Sequence, residues 1–208
     1  GDIAYPSGTL AQFNTNYDPY WGSFKSITAP APGNHEYNSG AVGYFDYFGS
    51  LAGTRDKGFY SYDLGGWHLV SLNSEKLTAE QTTFLKNDLD NNTKGCTLVY
   101  WHKPLYSSGS NYSPGISSVR PLYQQVYDAY GDIVINGHEH NYERFTKQNA
   151  NGVRDDSRGV RQFVVGTGGK DLRGFKSPIA NSEIRISTYG VLRLTLRNGS
   201  YSWQFINT

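Results

Sequence analysis

The sequence predicts an α/β layered domain, and three observations carry that expectation. Apolar runs of strand length alternate with helical apolar stripes, in the order strand, helix, strand, helix, strand. The C-terminal stretch alternates apolar and polar side chains, as antiparallel β structure does. The 208 residues suffice for one domain with a sizeable core, or at most two very small ones. We expect a single domain over 1–208.

Residues 1–40 read as loop: Gly, Pro, Asn and Tyr with little periodicity. Trp67–Leu72 (WHLVSL) is a short apolar run and reads as a strand. Thr78 opens a helix: Thr78 with Gln81 makes a capping-box pattern, and Phe84, Leu85 and Leu89 form its apolar stripe. Cys96–Trp101 (CTLVYW) is a second buried strand, followed by a polar loop from Ser107 to Gly115. Val119, Leu122, Tyr123, Val126, Tyr127 and Tyr130 fall on one face of the clearest helix. Ile133–Ile135 and Gln162–Val165 read as strands, and Gly190–Leu196 with Tyr201–Phe205 as antiparallel β structure. No internal repeat or low-complexity segment interrupts this order.

Composition excludes some functions. Net charge is +1 and no basic stripe appears, so a nucleic-acid partner is not expected. No apolar run reaches the length of a membrane span, and no signal-peptide pattern opens the chain. Cys96 is the single cysteine, so there is no internal disulfide framework; it is expected to pack as a small hydrophobe. A chain rich in Tyr, Gly, Asn and Ser, with Asn-x-Ser/Thr triplets at Asn91, Asn111 and Asn198, fits an extracytoplasmic setting, although chance accounts for such triplets in an Asn-rich chain. The sequence has no Met, so Gly1 is not an initiator residue and arises by processing, truncation or partial coverage of a longer gene.

Four short segments carry the chemistry: Gly1-Asp2-Ile3-Ala4-Tyr5, Gly33-Asn34-His35-Glu36, Val99-Tyr100-Trp101-His102 and Gly137-His138-Glu139-His140. Three of the five histidines lie at or just beyond C-terminal strand ends, where open α/β sheets build their sites. The residue types suit a pair of metal ions. A carboxylate can bridge two cations, neutral imidazoles suit Zn, Fe and similar metals, an Asn carbonyl is a hard oxygen donor, and a Tyr phenolate favours a trivalent ion. Two adjacent cations can clamp a phosphoryl group and activate water. The adjacent glycines are expected to provide the sharp turns.

The ordered set G-D-x-x-Y, G-N-H-E, V-x-x-H and G-H-x-H, with Asn141-Tyr142-Glu143-Arg144 after it, resembles the purple acid phosphatases within the calcineurin-like metallophosphoesterases. The Gly166–Gly169 segment and the β-rich tail resemble bacterial secreted members, and the spacing agrees from Gly1 to about Gly169. The resemblance implies a metallophosphoesterase fold, a β-sheet sandwich flanked by helices. It implies hydrolysis of phosphomonoesters, with diesters a further class, by a metal-bridging hydroxide acting on a small phosphorylated substrate. It assigns Asp2 as the bridge between metals, Tyr5 and His140 to a first metal, Fe(III), and Asn34, His102 and His138 to a second, divalent Zn, Mn or Fe. His35 would stand beside the phosphate as a catalytic group rather than a ligand. Secretion is also implied by the resemblance.

The sequence departs from the family in two places. The family's earlier D-x-G block, whose aspartate completes the first metal's ligands, does not precede Gly1, and the strand leading to G-D-x-x-Y is absent too, so the fold is expected to be N-terminally incomplete. Either the chain is a piece of a longer enzyme or the first two blocks have fused by deletion; in both cases one aspartate is missing and a sheet edge is left open. Plant members also carry histidines in the loop after His102, where this chain has Lys103, Asn111 and Tyr112. These departures support a second reading: a non-catalytic or partner-requiring metal-binding remnant.

Outside the set, His68 matches no ligand block and reads as structural. Gly166–Gly169 reads as a turn lining the site, and Tyr123–Tyr130 as core.

Overall fold

The computed structural model describes residues 1–208. The apolar runs become the centre of a seven-stranded mixed sheet. Its strands are β1 (Tyr60–Leu64), β2 (Trp67–Ser71), β3 (Cys96–Tyr100), β4 (Ile133–Asn136), β5 (Tyr142–Phe145), β6 (Arg161–Val165) and β7 (Ser182–Ile186). Their spatial order is β1-β2-β3-β4-β6-β5-β7. The neighbours β2, β3, β4 and β6 are parallel, and β1, β5 and β7 attach antiparallel at the flanks. A parallel sheet is covered on both faces, which is why these strands read as continuous apolar runs rather than alternating ones.

One face packs against helices. Leu85 and Leu89 of helix α5 (Ala79–Asp90) and Leu122, Tyr123 and Val126 of helix α6 (Arg120–Asp128) share a buried cluster with Val70, Val99, Val134 and Val164 of the sheet. The other face is crossed by a hairpin of β8 (Gly190–Arg197) and β9 (Ser200–Asn207). Its turn is Asn198-Gly199, a pair suited to two-residue hairpin loops, and Gly199 takes the left-handed φ of 72°. Inward residues Leu192, Leu194, Leu196, Tyr201, Trp203 and Phe205 pack on Trp67, Leu98, Ile133, Tyr142 and Phe163. The layered α/β expectation and the antiparallel tail are met.

Three local expectations need correction. Residues 1–40 are not simply loop: α1 (Leu10–Gln12), a π-type turn (Phe13–Tyr17), α2 (Asp18–Trp21), a 3₁₀ turn (Gly22–Ile27) and α3 (Asn34–Tyr37) lie within them. From Leu10 to Ile27 the chain stays helical but switches between α, π and 3₁₀ geometry every few residues, so no single period runs through it. Phe13 anchors this region to α4 (Val42–Phe48), stacking on Tyr47 at 5.0 Å and meeting Phe48 edge-on at 5.6 Å. The capping box at α5 forms only half. Thr78 Oγ1 accepts from the Gln81 N–H at 3.2 Å, but the Gln81 side chain bonds both the N–H and the carbonyl of Asn73. That two-point bond ties the end of β2 to the helix and outcompetes the local cap. Tyr130 leaves the helical face: α6 stops at Asp128, Tyr130 takes a left-handed φ of 59°, and its ring is exposed beside Arg158.

His68 is structural, as expected, and the hydrophobe-like packing of Cys96 is also met: it is buried and unpaired. The His68 ring sits between Asp63 (Nδ1–Oδ1, 2.8 Å) and Asp88 (Nε2–Oδ2, 2.7 Å), joining the β1–β2 hairpin to α5. No helix is long and apolar enough to cross a membrane.

Candidate metal centre

Residues after β3, β4 and β6, together with residues 1–5, meet over one cleft of about 620 Å³. Asp2, Tyr5, His102, His138, His140 and Lys170 line it.

The carboxylate of Glu36 holds this assembly together. It is fully buried and accepts four backbone N–H groups: Ile3 (2.7 Å) and Ala4 (3.1 Å) on Oε1, Asp2 (2.9 Å) and Gly33 (2.8 Å) on Oε2. A carboxylate can accept this many bonds, so one side chain docks residues 2–4 against the Gly33–Glu36 turn. Asp2 returns a bond, its Oδ1 accepting from the His35 N–H at 2.9 Å. Gly33 is required by close approach, because a Cβ there would overlap Asp2 N and Oδ1.

The sharp turns fall on the site residues themselves rather than on the neighbouring glycines. Asp2 (φ 53°) and His138 (φ 67°) adopt left-handed backbone, whereas Gly33 is extended. Non-glycine residues stay in that region only where their surroundings hold them.

Around His102 Nε2 lie Asp2 Oδ2 at 3.1 Å, Asn34 Oδ1 at 3.0 Å and His138 Nδ1 at 3.0 Å. One ring N–H cannot serve three acceptors, so the site concentrates lone pairs beyond the protons available. Asp2, His102 and His138 each bring one ligand-type atom, all within 4.8 Å of one another. That is the donor chemistry of a cation site. Burial alone would raise the Asp2 carboxyl, but the bond and charge of the His102 ring and the His35 N–H overcome it and hold the group well below the usual carboxylate range. Burial, then the neighbouring His102, push His138 down to about 3, so its ring is neutral with a lone pair to give.

The remaining expected residues lie nearby. The Tyr5 hydroxyl is 3.4 Å from Asp2 Oδ2, and burial followed by the Asp2 charge raises its pKa. His140 lines the same cleft but is outside the close group. Its Nδ1 bonds the Asp171 carbonyl at 2.8 Å, which fixes the orientation of the ring. Burial lowers its pKa. His35 sits apart: its Nδ1 is 2.6 Å from the Pro6 carbonyl, and its ring centroid lies 4.3 Å from that of Tyr5.

Sequence reasoning missed Lys170, the cation lining the cleft, with its Nζ 5.5 Å from the Tyr5 ring centroid. Its only signal was its place after Gly168-Gly169. It also missed Glu36 as the organising carboxylate, although Glu36 belongs to the G-N-H-E segment.

Residues 1–142 match the calcineurin-like phosphoesterase family. The chain is 29% identical to human acid phosphatase type 7, over 97% of this chain and 55% of that protein. It is 31% identical to Arabidopsis thaliana purple acid phosphatase 15, over 72% of this chain and 32% of that one. It thus spans about a third to a half of these curated relatives. Among solved structures, the purple acid phosphatase of yellow lupin seeds superposes with a TM-score of 0.71, at 23% identity, over 86% of this chain and 36% of that one, a likeness of fold. The match over most of the sequence, the shared sheet architecture and a cation-type donor cluster beyond β3 and β4 lead to one statement: the chain belongs to the calcineurin-like phosphoesterase family.

Proposed function

We propose that this chain is a metal-dependent phosphoric ester hydrolase of the acid phosphatase kind, acting on phosphomonoesters and also on diesters. The observation that carries the reading is the convergence of Asp2, Asn34 and His138 on His102 Nε2. Asn34, His102 and His138 would hold a divalent Zn, Mn or Fe, Tyr5 and His140 would serve a second ion, Fe(III), and Asp2 would lie between the two. The bound ions would supply Lewis-acid charge for the phosphoryl oxygens and lower the pKa of water.

The chain's own groups have separate tasks. Asp2 stays ionised and His138 neutral above about pH 3, so no proton competes for these two donors there. Lys170 meets the negative charge of a phosphoryl group entering the cleft. With Nδ1 facing the Pro6 carbonyl, any proton His35 gives to a leaving alcohol must sit on Nε2. The unit is one domain over 1–208, it acts on a small phosphorylated substrate without nucleic acid or membrane, and it works outside the cytoplasm.

A chain reconstituted with Fe and Zn is expected to hydrolyse a chromogenic phosphomonoester with about two metals bound, and His138→Ala to lower turnover by roughly 100-fold or more. A second reading is a non-catalytic or partner-requiring metal-binding remnant. It is favoured by the close group of three, which leaves out His140. About one metal per chain without turnover would decide for it.

A further inference from the structure

We infer that Glu139, the residue between the two site histidines, is a positioning residue that locks the Ser107–Gly115 loop against His138. The inference rests on the reading of His138 as a ligand. Glu139 is fully buried, yet no ligand-type atom of the close group belongs to it. Its Oε2 accepts the Tyr112 N–H at 2.9 Å. Its Oε1 has no hydrogen-bond partner and lies 3.9 Å from the Arg173 guanidinium. A buried carboxylate in this state is costly unless its charge and its one strong bond are needed where they are.

The bond has a visible consequence. With its backbone pinned, Tyr112 lays its ring on that of His138, centroids 3.9 Å apart and planes 28° from parallel. Arg173 closes the arrangement from the other side. Its guanidinium donates to the His138 carbonyl at 3.1 Å, its backbone N–H donates to the His140 carbonyl at 2.8 Å, and its charge lies 5.6 Å from the Tyr112 ring centroid. His138 is one of the left-handed non-glycine residues, so its backbone and ring both need outside support. The loop is shaped to admit the carboxylate: a Cβ at Gly109 would overlap the Glu139 Cγ and carboxyl carbon. Glu139 therefore acts through Tyr112, and sets which way the His138 ring faces without touching substrate or metal.

Two readouts test this separately from the function itself. In metal-free protein, the stacked Tyr112 ring shifts the His138 ring-proton resonances upfield. Glu139→Ala is expected to move them toward the unstacked values that Tyr112→Ala gives, and Tyr112→Phe to leave them in place. Glu139→Gln keeps one acceptor oxygen for the Tyr112 N–H and is expected to restore most of the shift; it serves if the alanine variant does not fold. In the second readout, Zn(II) titration, Glu139→Ala and Tyr112→Ala weaken affinity about 10- to 100-fold, and Glu139→Gln much less. His138 resonances unchanged in Glu139→Ala, or changed equally in Glu139→Gln and Glu139→Ala, would overturn the inference. A wild-type chain that binds no Zn(II) while the resonance series behaves as stated would sink the metal reading and leave the positioning role standing.

Discussion

Glu36→Gln isolates what holds the Asp2 segment in place. The glutamate collects four backbone N–H groups on two oxygens, two on each. Glutamine offers one acceptor oxygen, and its NH₂ must face the other two donors. Whichever way the amide turns, two bonds to a charged acceptor are lost. At about 1.5–3 kcal/mol per such bond, the cost is about 3–6 kcal/mol with the segment docked. Stability of a domain is itself about 5–15 kcal/mol, so this is a large share. The segment has a way out: residues 1–5 can release into water and solvate their own N–H groups. The loss then appears locally, as exposure of Asp2, Ile3 and Ala4, and globally as a smaller drop. Urea unfolding followed by circular dichroism measures the global part, and amide exchange of Ile3 and Ala4 measures the local part. A variant within about 0.5 kcal/mol of wild type, with both amides still protected, would refute the argument that this carboxylate builds the site.

Other expectations follow from the same structure. Burial alone would lower the pKa of His68, but the hydrogen bonds to Asp63 and Asp88 overcome it and raise it. A neutral ring can donate from one nitrogen only, whereas the imidazolium serves both carboxylates. Its contribution is therefore fully present below the unfolded pKa of about 6.5 and fades as pH rises through the folded pKa. The stability advantage of wild type over His68→Gln should be larger at pH 5.5 than at pH 8.5; parallel melting profiles would count against it. Trp203→Ala removes a ring that packs on Phe163 at 5.7 Å and lies under Arg144 and Arg161, and should cost about 2–4 kcal/mol in denaturant midpoint analysis, less than a fully buried Trp because this one is partly exposed.

What the sequence made legible follows from how each element is stabilised. Strands β2, β3, β4 and β6 are buried on both faces, so solvent exclusion writes itself as apolar runs such as WHLVS and CTLVY. Helices α5 and α6 bury one stripe and show it. The region before Ile27 was not legible because its helical run changes type every few residues and is held by Phe13 and the aromatic cluster of α4 rather than by a repeating face. Strand β1 escaped for a related reason: YSYDL is only half-buried and takes its register from pairing with β2. At the site, the ligand-type side chains were legible as motif blocks because their chemistry is carried by residue identity. Their supports were not, since Glu36, Glu139 and Arg173 act through backbone groups brought together by the fold.

The left-handed backbone at Asp2 and His138 sets stability against function at two known positions. A non-glycine residue held there gives up roughly 1–2 kcal/mol that glycine would recover. Libraries of this chain selected only for thermal resistance should therefore enrich glycine at 2 and 138, and each such winner would have discarded a donor atom of the cleft. Selection that also demands cation binding should keep aspartate and histidine at both positions and seek its stability elsewhere.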